Sequence, residues 1–169
     1  MVAEHGVNTS QSVLVLLWDI LKCFECVTHW ILVREARLLM YPLHLLRVAI
    51  QAYKWPRVLK LDDLVSLPIY PKKGIIAGSM SATYELRCLL QRKVSEHCSR
   101  HPFVDINFHI DDVAQESVAR NPALCIRQLK DSADELADVI QVELRLPLSS
   151  KQVILIGSDT WLPAMPKPS

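Results

Sequence analysis

Asp111 and Asp112 stand side by side in Phe108-His109-Ile110-Asp111-Asp112-Val113, between two short apolar runs, and a lone aspartate, Asp19, ends another apolar run far upstream. Like charges at a tight turn repel unless a cation sits between them, so adjacent aspartates at a hairpin tip are a costly choice. A pair at such a tip, joined by a third carboxylate on a neighbouring strand, can hold two Mg²⁺ ions, the arrangement that in-line phosphoryl transfer needs. The plain alternative is two solvated acids in an ordinary turn, with Asp19 as a helix N-cap after its strand.

Several elements must position these groups. Residues 12–18 form a short continuous apolar run flanked by charge, which predicts a strand buried on both faces. Over residues 27–40 the apolar positions Val27, Trp30, Ile31, Val33, Leu38 and Leu39 recur at roughly helical spacing. Tyr41-Pro42 then breaks the chain, and Pro42 opens a second helix whose face includes Leu45, Leu46, Ala49, Ile50 and Tyr53. Residues 57–61 suit a short strand, and residues 68–73 a turn-rich connection. Ser79 is placed to cap a helix carrying Ala82, Thr83, Leu86, Leu89, Leu90 and Val94 on one side. Residues 104–109 and 113–117 make the arms of the hairpin. After Asn121-Pro122 a helix runs to about residue 144, with Asp131, Asp134, Glu135 and Asp138 read as a solvated outer face. Residues 152–156 give a final buried strand. Helices are thus segregated from an antiparallel sheet, an α+β layout. The expected boundaries are a frayed N-terminus over residues 1–11, one domain over 12–157, and a proline-rich tail over 158–169.

Composition narrows the function classes. The chain has 169 residues, half of them apolar, and only four glycines, so it is neither disordered nor of low complexity. A formal net charge of +1 excludes a strongly basic protein held on nucleic acid by charge alone. A mildly basic middle segment (Lys54, Arg57, Lys60, Lys72, Lys73) with Tyr53, Trp55 and Tyr70 could touch a nucleic-acid backbone or be simply solvated. The five cysteines are odd in number and lie mostly in apolar periodic segments, which suits buried free thiols in a reducing compartment. Cys23-x-x-Cys26 with His29 invites a zinc reading, but no second pair with matching spacing follows. Residues 13–18 are too few to span a bilayer, and Glu4 and His5 without a basic cluster do not suit a leader, so no membrane partner is expected.

Beyond these patterns, the stretch Asp19-Ile20-Leu21-Lys22-Cys23-Phe24-Glu25-Cys26-Val27-Thr28-His29-Trp30-Ile31-Leu32 resembles the first catalytic motif of reverse transcriptases of the non-LTR retrotransposon and group II intron kind. Asp19, Lys22, Phe24, Val27, His29 and Leu32 fall in place, with Glu25 where aspartate is usual. Gly74-Ile75-Ile76-Ala77-Gly78-Ser79 is similar to the family's Gly-x-x-Gln-Gly-Ser loop, and His109-Ile110-Asp111-Asp112 to its aromatic-x-Asp-Asp box. Leu146-Pro147-Leu148-Ser149-Ser150-Lys151-Gln152-Val153 more weakly resembles the loop, lysine and strand that close the palm. Together the matches cover roughly residues 12–157.

The resemblance implies a polymerase palm-like antiparallel sheet with helices packed on one face, and an RNA-directed DNA polymerase that adds dNTPs to a primer 3′-hydroxyl. Asp19, Asp111 and Asp112 would be ligands to two Mg²⁺ or Mn²⁺ ions, and Lys151 would protonate departing pyrophosphate. Phe24 would pack against the incoming sugar, while Gly78 and Ser79 would meet template or nucleotide. The implied partners are an RNA or DNA template-primer and the remaining parts of a larger retroelement polyprotein, in cytoplasm or nucleus. Two substitutions depart from the pattern: Ala77 stands for the usual glutamine, and His109 for the aromatic that floors the primer terminus. The family's fingers and thumb find no counterpart of the usual size in this sequence, so weak activity is expected of the chain alone. A non-catalytic remnant that keeps the fold, with at most weak metal or nucleic-acid binding, is the alternative. An unrelated α+β interaction domain is a third class, and it would leave Asp19 far from Asp111.

Overall fold

The computed structural model describes residues 12–149 and the strand Ile154–Gly157; the terminal segments 1–11 and 158–169, and Lys151, lie outside the described residues. In chain order the elements are β1 (Ser12–Asp19), α1 (Cys23–Cys26), α2 (His29–Leu38), α3 (Leu43–Tyr53), β2 (Lys60–Leu61), β3 (Leu64–Val65), α4 (Ala82–Arg100), β4 (Val104–His109), β5 (Asp112–Ala119), α5 (Pro122–Asp138), a π-helical turn (Val139–Glu143) and β6 (Ile154–Gly157). The fold is α+β. Two compact units share the chain: one takes it up to Leu21 and again from Lys93 onward, and the other is the continuous stretch Lys22–Arg92.

The discontinuous unit is built on a four-stranded antiparallel sheet in the order β4-β5-β1-β6. A central position explains the unbroken apolar run of β1, whose residues are buried or half-buried throughout. Strand β5 instead alternates, with Val113, Gln115, Ser117 and Ala119 buried. Helix α5 packs against β5 and β1. Leu14, Val104, Ala119, Cys125 and Leu129 form the core there, with Leu16, Ile106 and Ile126 against it. Polar groups of the inner face bond locally: Gln115 Nε2 donates to Ser132 Oγ at 2.8 Å, and the Cys125 thiol to the Ser117 carbonyl at 3.0 Å, while Gln115 Oε1 has no partner among the described residues. Asn121 caps α5 by accepting from the Ala123 amide at 2.9 Å, and Pro122 occupies the first turn, where its missing N–H costs least. The helix expected to run to about residue 144 therefore forms, but its last turn widens to a π-helix. All five cysteines are free thiols, and Cys23, Cys88 and Cys125 are buried.

In the Lys22–Arg92 unit the buried stripe of α2 is His29, Ile31, Leu32, Glu35 and Ala36, whereas Trp30 and Leu38, expected inside, are exposed. The stripe is rotated because His29 and Glu35 find partners. His29 Nε2 donates to the Gly74 carbonyl at 2.7 Å. Arg92 grips the fully buried Glu35 carboxylate with Nε at 2.7 Å from Oε2 and a terminal nitrogen at 2.9 Å from Oε1, and Arg34 Nε donates to Oε1 at 2.8 Å. Likewise α3 turns Leu46, Ile50 and Tyr53 inward and leaves Leu45 exposed. The Tyr53 hydroxyl donates to buried Glu85 at 2.8 Å, as does the Ser81 hydroxyl. Helix α4 starts at Ala82, so Ser79 is not its cap; its hydroxyl lies 3.2 Å from that of Ser81, and Thr83 faces solvent.

The loop ahead of α4 is stitched to the first turns of the unit. The Gly74 amide donates to the Val27 carbonyl at 2.7 Å, and the Ile75 amide to the Phe24 carbonyl at 2.9 Å. Gly74 has φ +91°, and a Cβ there would stand 2.8 Å from the Glu25 carbonyl oxygen. Glycine is required on both counts. Gly78 has open space where a Cβ would point.

These contacts give two tests in denaturant or thermal unfolding. Gly74→Ala is expected to cost about 2 kcal/mol and Gly78→Ala close to none. Burial alone would raise the Glu35 pKa, but Arg92 and Arg34 overcome it and hold the carboxyl below its ordinary value. Its ion pairs therefore stabilise fully above the ordinary glutamate range and are lost as pH falls through the lowered value. Glu35→Ala should cost about 3 kcal/mol at neutral pH, and Glu35→Gln should flatten the acid limb of the stability–pH curve.

Candidate metal centre

The end of β1 and the tip of the β4–β5 hairpin meet because of strand register. Asp19 is paired directly with Asp112, and His109 with Asp112 closes a two-residue turn of Ile110 and Asp111. The Ile20 amide donates to the Asp111 carbonyl at 2.8 Å, which ties the residue after β1 to the turn itself. On the other side of β1 the Ser149 amide donates to the Asp19 carbonyl at 2.9 Å, and the Leu21 amide to the Pro147 carbonyl at 2.8 Å. Asp19 is thus clamped at the backbone from both flanks, with its side chain left to project from the strand end.

The turn carries strain. Ile110 has φ +62°, in the left-handed region where a β-branched residue is rare. Holding it there costs about 1–3 kcal/mol, which the surrounding ladder must offset. With positive φ at the first of its two central residues, the turn matches the right-handed twist of its strands.

One carboxylate oxygen from each of Asp19, Asp111 and Asp112 lies within 4.8 Å of the others. Asp19 is half-buried and Asp112 exposed. Burial first, and then the charges of Asp111 and Asp112, push the Asp19 pKa above its ordinary value. The donor set is all oxygen, hard, and carries more negative charge than it balances. A Mg²⁺ or Mn²⁺ ion fits such a set.

Of the residues singled out from the sequence, the structure brings these three aspartates together. Phe24, Gly78 and Ser79 belong to the Lys22–Arg92 unit, where Phe24 is half-buried on α1 and its carbonyl receives the Gly74-Ile75 loop. Lys151 lies outside the described residues. Cys23, Cys26 and His29 do not converge as metal ligands among the described residues, and His29 Nε2 is committed to Gly74.

A second group escaped the sequence reading. Glu135, read as part of a solvated face, is engaged by Arg100 and His101, and it converges with His97 and His101. The His101 hydrogen bond, working against burial, holds the Glu135 pKa below its ordinary value, with help from Arg100. Burial drives the His97 pKa down to about 4, so its imidazole is neutral at pH 7. The i, i+4 spacing of His97 and His101 across the end of a helix was the available signal.

No family model and no curated protein matches the chain. Solved structures do share its fold. Apo telomerase from Candida tropicalis truncated from the C-terminal domain superposes with a TM-score of 0.67 and 11% identity, over 95% of this chain and 35% of that one. Apo telomerase from Candida tropicalis gives 0.66 and 11%, over 94% and 32%. Telomerase from Candida albicans, in complex with the TWJ fragment of telomeric RNA, gives 0.64 and 11%, over 99% and 32%. The chain spans about a third of the length of these telomerases. Telomerase being a reverse transcriptase, this likeness gives the chain a reverse-transcriptase-like fold, with the antiparallel sheet of a polymerase palm.

Proposed function

We propose that the chain is the catalytic palm of an RNA-directed DNA polymerase, extending a primer 3′-hydroxyl with dNTPs on an RNA or DNA template. The observation that carries this reading is the convergence of Asp19, Asp111 and Asp112 at the end of a sheet of this fold. The three aspartates would hold two Mg²⁺ or Mn²⁺ ions. Bound there, such ions lower the pKa of the primer hydroxyl and neutralise the triphosphate and its leaving pyrophosphate.

The chain's own residues orient this chemistry. The backbone clamps on Asp19 and the short turn at Asp111 fix where the carboxylates project, so little reorganisation is needed on loading. Phe24 would lie against the sugar of the incoming nucleotide. Gly78, open on its Cβ side, would let template approach the backbone, with the Ser79 hydroxyl beside it. Lys151 would give a proton to departing pyrophosphate. The nucleic-acid partner draws support from the RNA bound by the Candida albicans neighbour. In the Lys22–Arg92 unit, a hollow of about 550 Å³ lined by Trp30, Arg34, Arg37 and Lys54, among others, offers cations and an aromatic face of the kind that meets a phosphate backbone. The non-LTR and group II intron kinship rests on the order of the motifs and is part of the proposal, as are a retroelement source and action in cytoplasm or nucleus. Among the described residues, no helix is long and apolar enough to cross a membrane.

Two measurements test the reading. The folded state holds the Asp19 proton more tightly than the unfolded chain does, so ionisation costs stability as pH rises through the raised pKa. In EDTA at neutral pH, Asp19→Asn should therefore raise Tm slightly; Mg²⁺ or Mn²⁺ should raise the Tm of the wild type and not that of Asp19→Asn. Primer extension dependent on either ion should fall below about one hundredth of its rate in Asp111→Asn. Extension that survives that substitution would overturn the assigned roles. Absence of saturable, aspartate-dependent ion binding would favour a non-catalytic remnant.

A further inference from the structure

Within the discontinuous unit, the last turn of α4 carries His97, and His101 follows directly after the helix end, four residues on; both meet Glu135 of α5. One ligand atom from each lies within 4.8 Å of the others. His97 is completely buried. Its Nε2 lies 2.9 Å from Ser132 Oγ, which is itself held by Gln115 Nε2 at 2.8 Å. Its Nδ1 has no hydrogen-bond partner among the described residues and stands 3.8 Å from Glu135 Oε1, too far to bond. His101 Nε2 approaches Glu135 Oε2 at 2.6 Å, and the two imidazoles stack with centroids 4.5 Å apart. The Arg100 guanidinium also pairs with Glu135 Oε1.

We propose that His97, His101 and Glu135 form a binding site for a first-row divalent ion of borderline softness, Zn²⁺ foremost, that clips α4 to α5. Two imidazole nitrogens and a carboxylate are a zinc-type donor set, with water as the fourth ligand. Nitrogen donors also set this site apart from the all-oxygen aspartate cluster, which suits Mg²⁺. Ligand atoms around one Zn²⁺ lie about 3.3 Å apart, so rotamer adjustments of about an ångström draw the three together. The buried Nδ1 lone pair then gains the partner it lacks. Ligation through Nδ1 leaves the proton on Nε2, and Ser132 Oγ is in place to accept it; the Gln115–Ser132–His97 chain orients the ligand from behind. Arg100 is the competitor. Its half-exposed side chain holds the carboxylate that the ion needs, and it can swing to solvent when the ion binds.

Zn²⁺ titration of the chelator-stripped full chain, followed by calorimetry and by Tm, tests the site. The wild type should bind one equivalent that a hundredfold excess of Mg²⁺ does not displace, and at a hundredfold excess over Kd its Tm should rise by about 5 °C. His101→Gln and Glu135→Gln should each weaken that equivalent at least tenfold, whereas Arg100→Gln should tighten it. Any zinc taken by thiols is common to all four proteins and drops out of the comparison. Equal binding and equal Tm shifts in wild type, His101→Gln and Glu135→Gln would overturn the site. So would weaker binding in Arg100→Gln, a test that holds even if a ligand variant folds poorly.

Discussion

The register between β1 and β5 governs almost every other feature of the sheet unit. One ladder runs from Ser12 opposite Ala119 to Asp19 opposite Asp112, and it settles two matters at once. It turns Val113, Gln115, Ser117 and Ala119 toward α5, and it ends with a carboxylate on β1 level with one on β5. A slip of a single residue would send the buried set to the opposite face and take Asp19 out of step with the turn. The two-residue turn pins the same register from the other end, and the left-handed Ile110 is the conformational cost of so short a connection. Core packing and site geometry are thus two readings of one alignment.

Carboxylates near the interior are treated in opposite ways in the two units. Glu35 is buried completely, yet two guanidiniums hold it ionised, and it serves to fix α2. Glu85 is likewise buried and takes hydrogen bonds from Tyr53 and Ser81. Among the described residues no ion pair is made by Asp19; burial and then the negative charges of Asp111 and Asp112 raise its affinity for a proton. Satisfied acids inside and a frustrated acid at the sheet end are what a fold shows when local stability is given up at a place where a ligand acts.

Much of this was legible from residue types alone. The continuous apolar run of β1, the alternation and paired aspartates of the hairpin, and the Asn121-Pro122 helix start each obey a local rule, and each forms close to where that rule puts it. The inner face of α2 was misjudged for a reason that no local rule covers. His29 and Glu35 are polar by type, and only Gly74 and Arg92, distant in sequence, make their burial tolerable. Glu135 failed in the same manner: a helix-surface glutamate is ordinarily solvated, and its partners sit at and just past the end of another helix. Ser79 shows the smaller error of boundaries, since Ser81 is an equally good helix-start residue and lies directly before Ala82. The aspartate cluster could be read early because its members repel one another, and residues that repel yet stand together are conspicuous even without coordinates.

The sheet's connectivity bears on how the chain reaches its native state. During synthesis β1 leaves the ribosome well before the strands that flank it, β5 and β6, which are made only after the whole Lys22–Arg92 stretch has emerged. That stretch is continuous and can begin to organise early, whereas the largely apolar β1 must wait unpaired until β5 and β6 emerge. Long-range antiparallel closure of this kind is slow, and an unpartnered apolar strand is what nascent-chain chaperones and aggregation compete for. The segment that later places Asp19 is therefore the one most exposed to misassembly while the protein is being made.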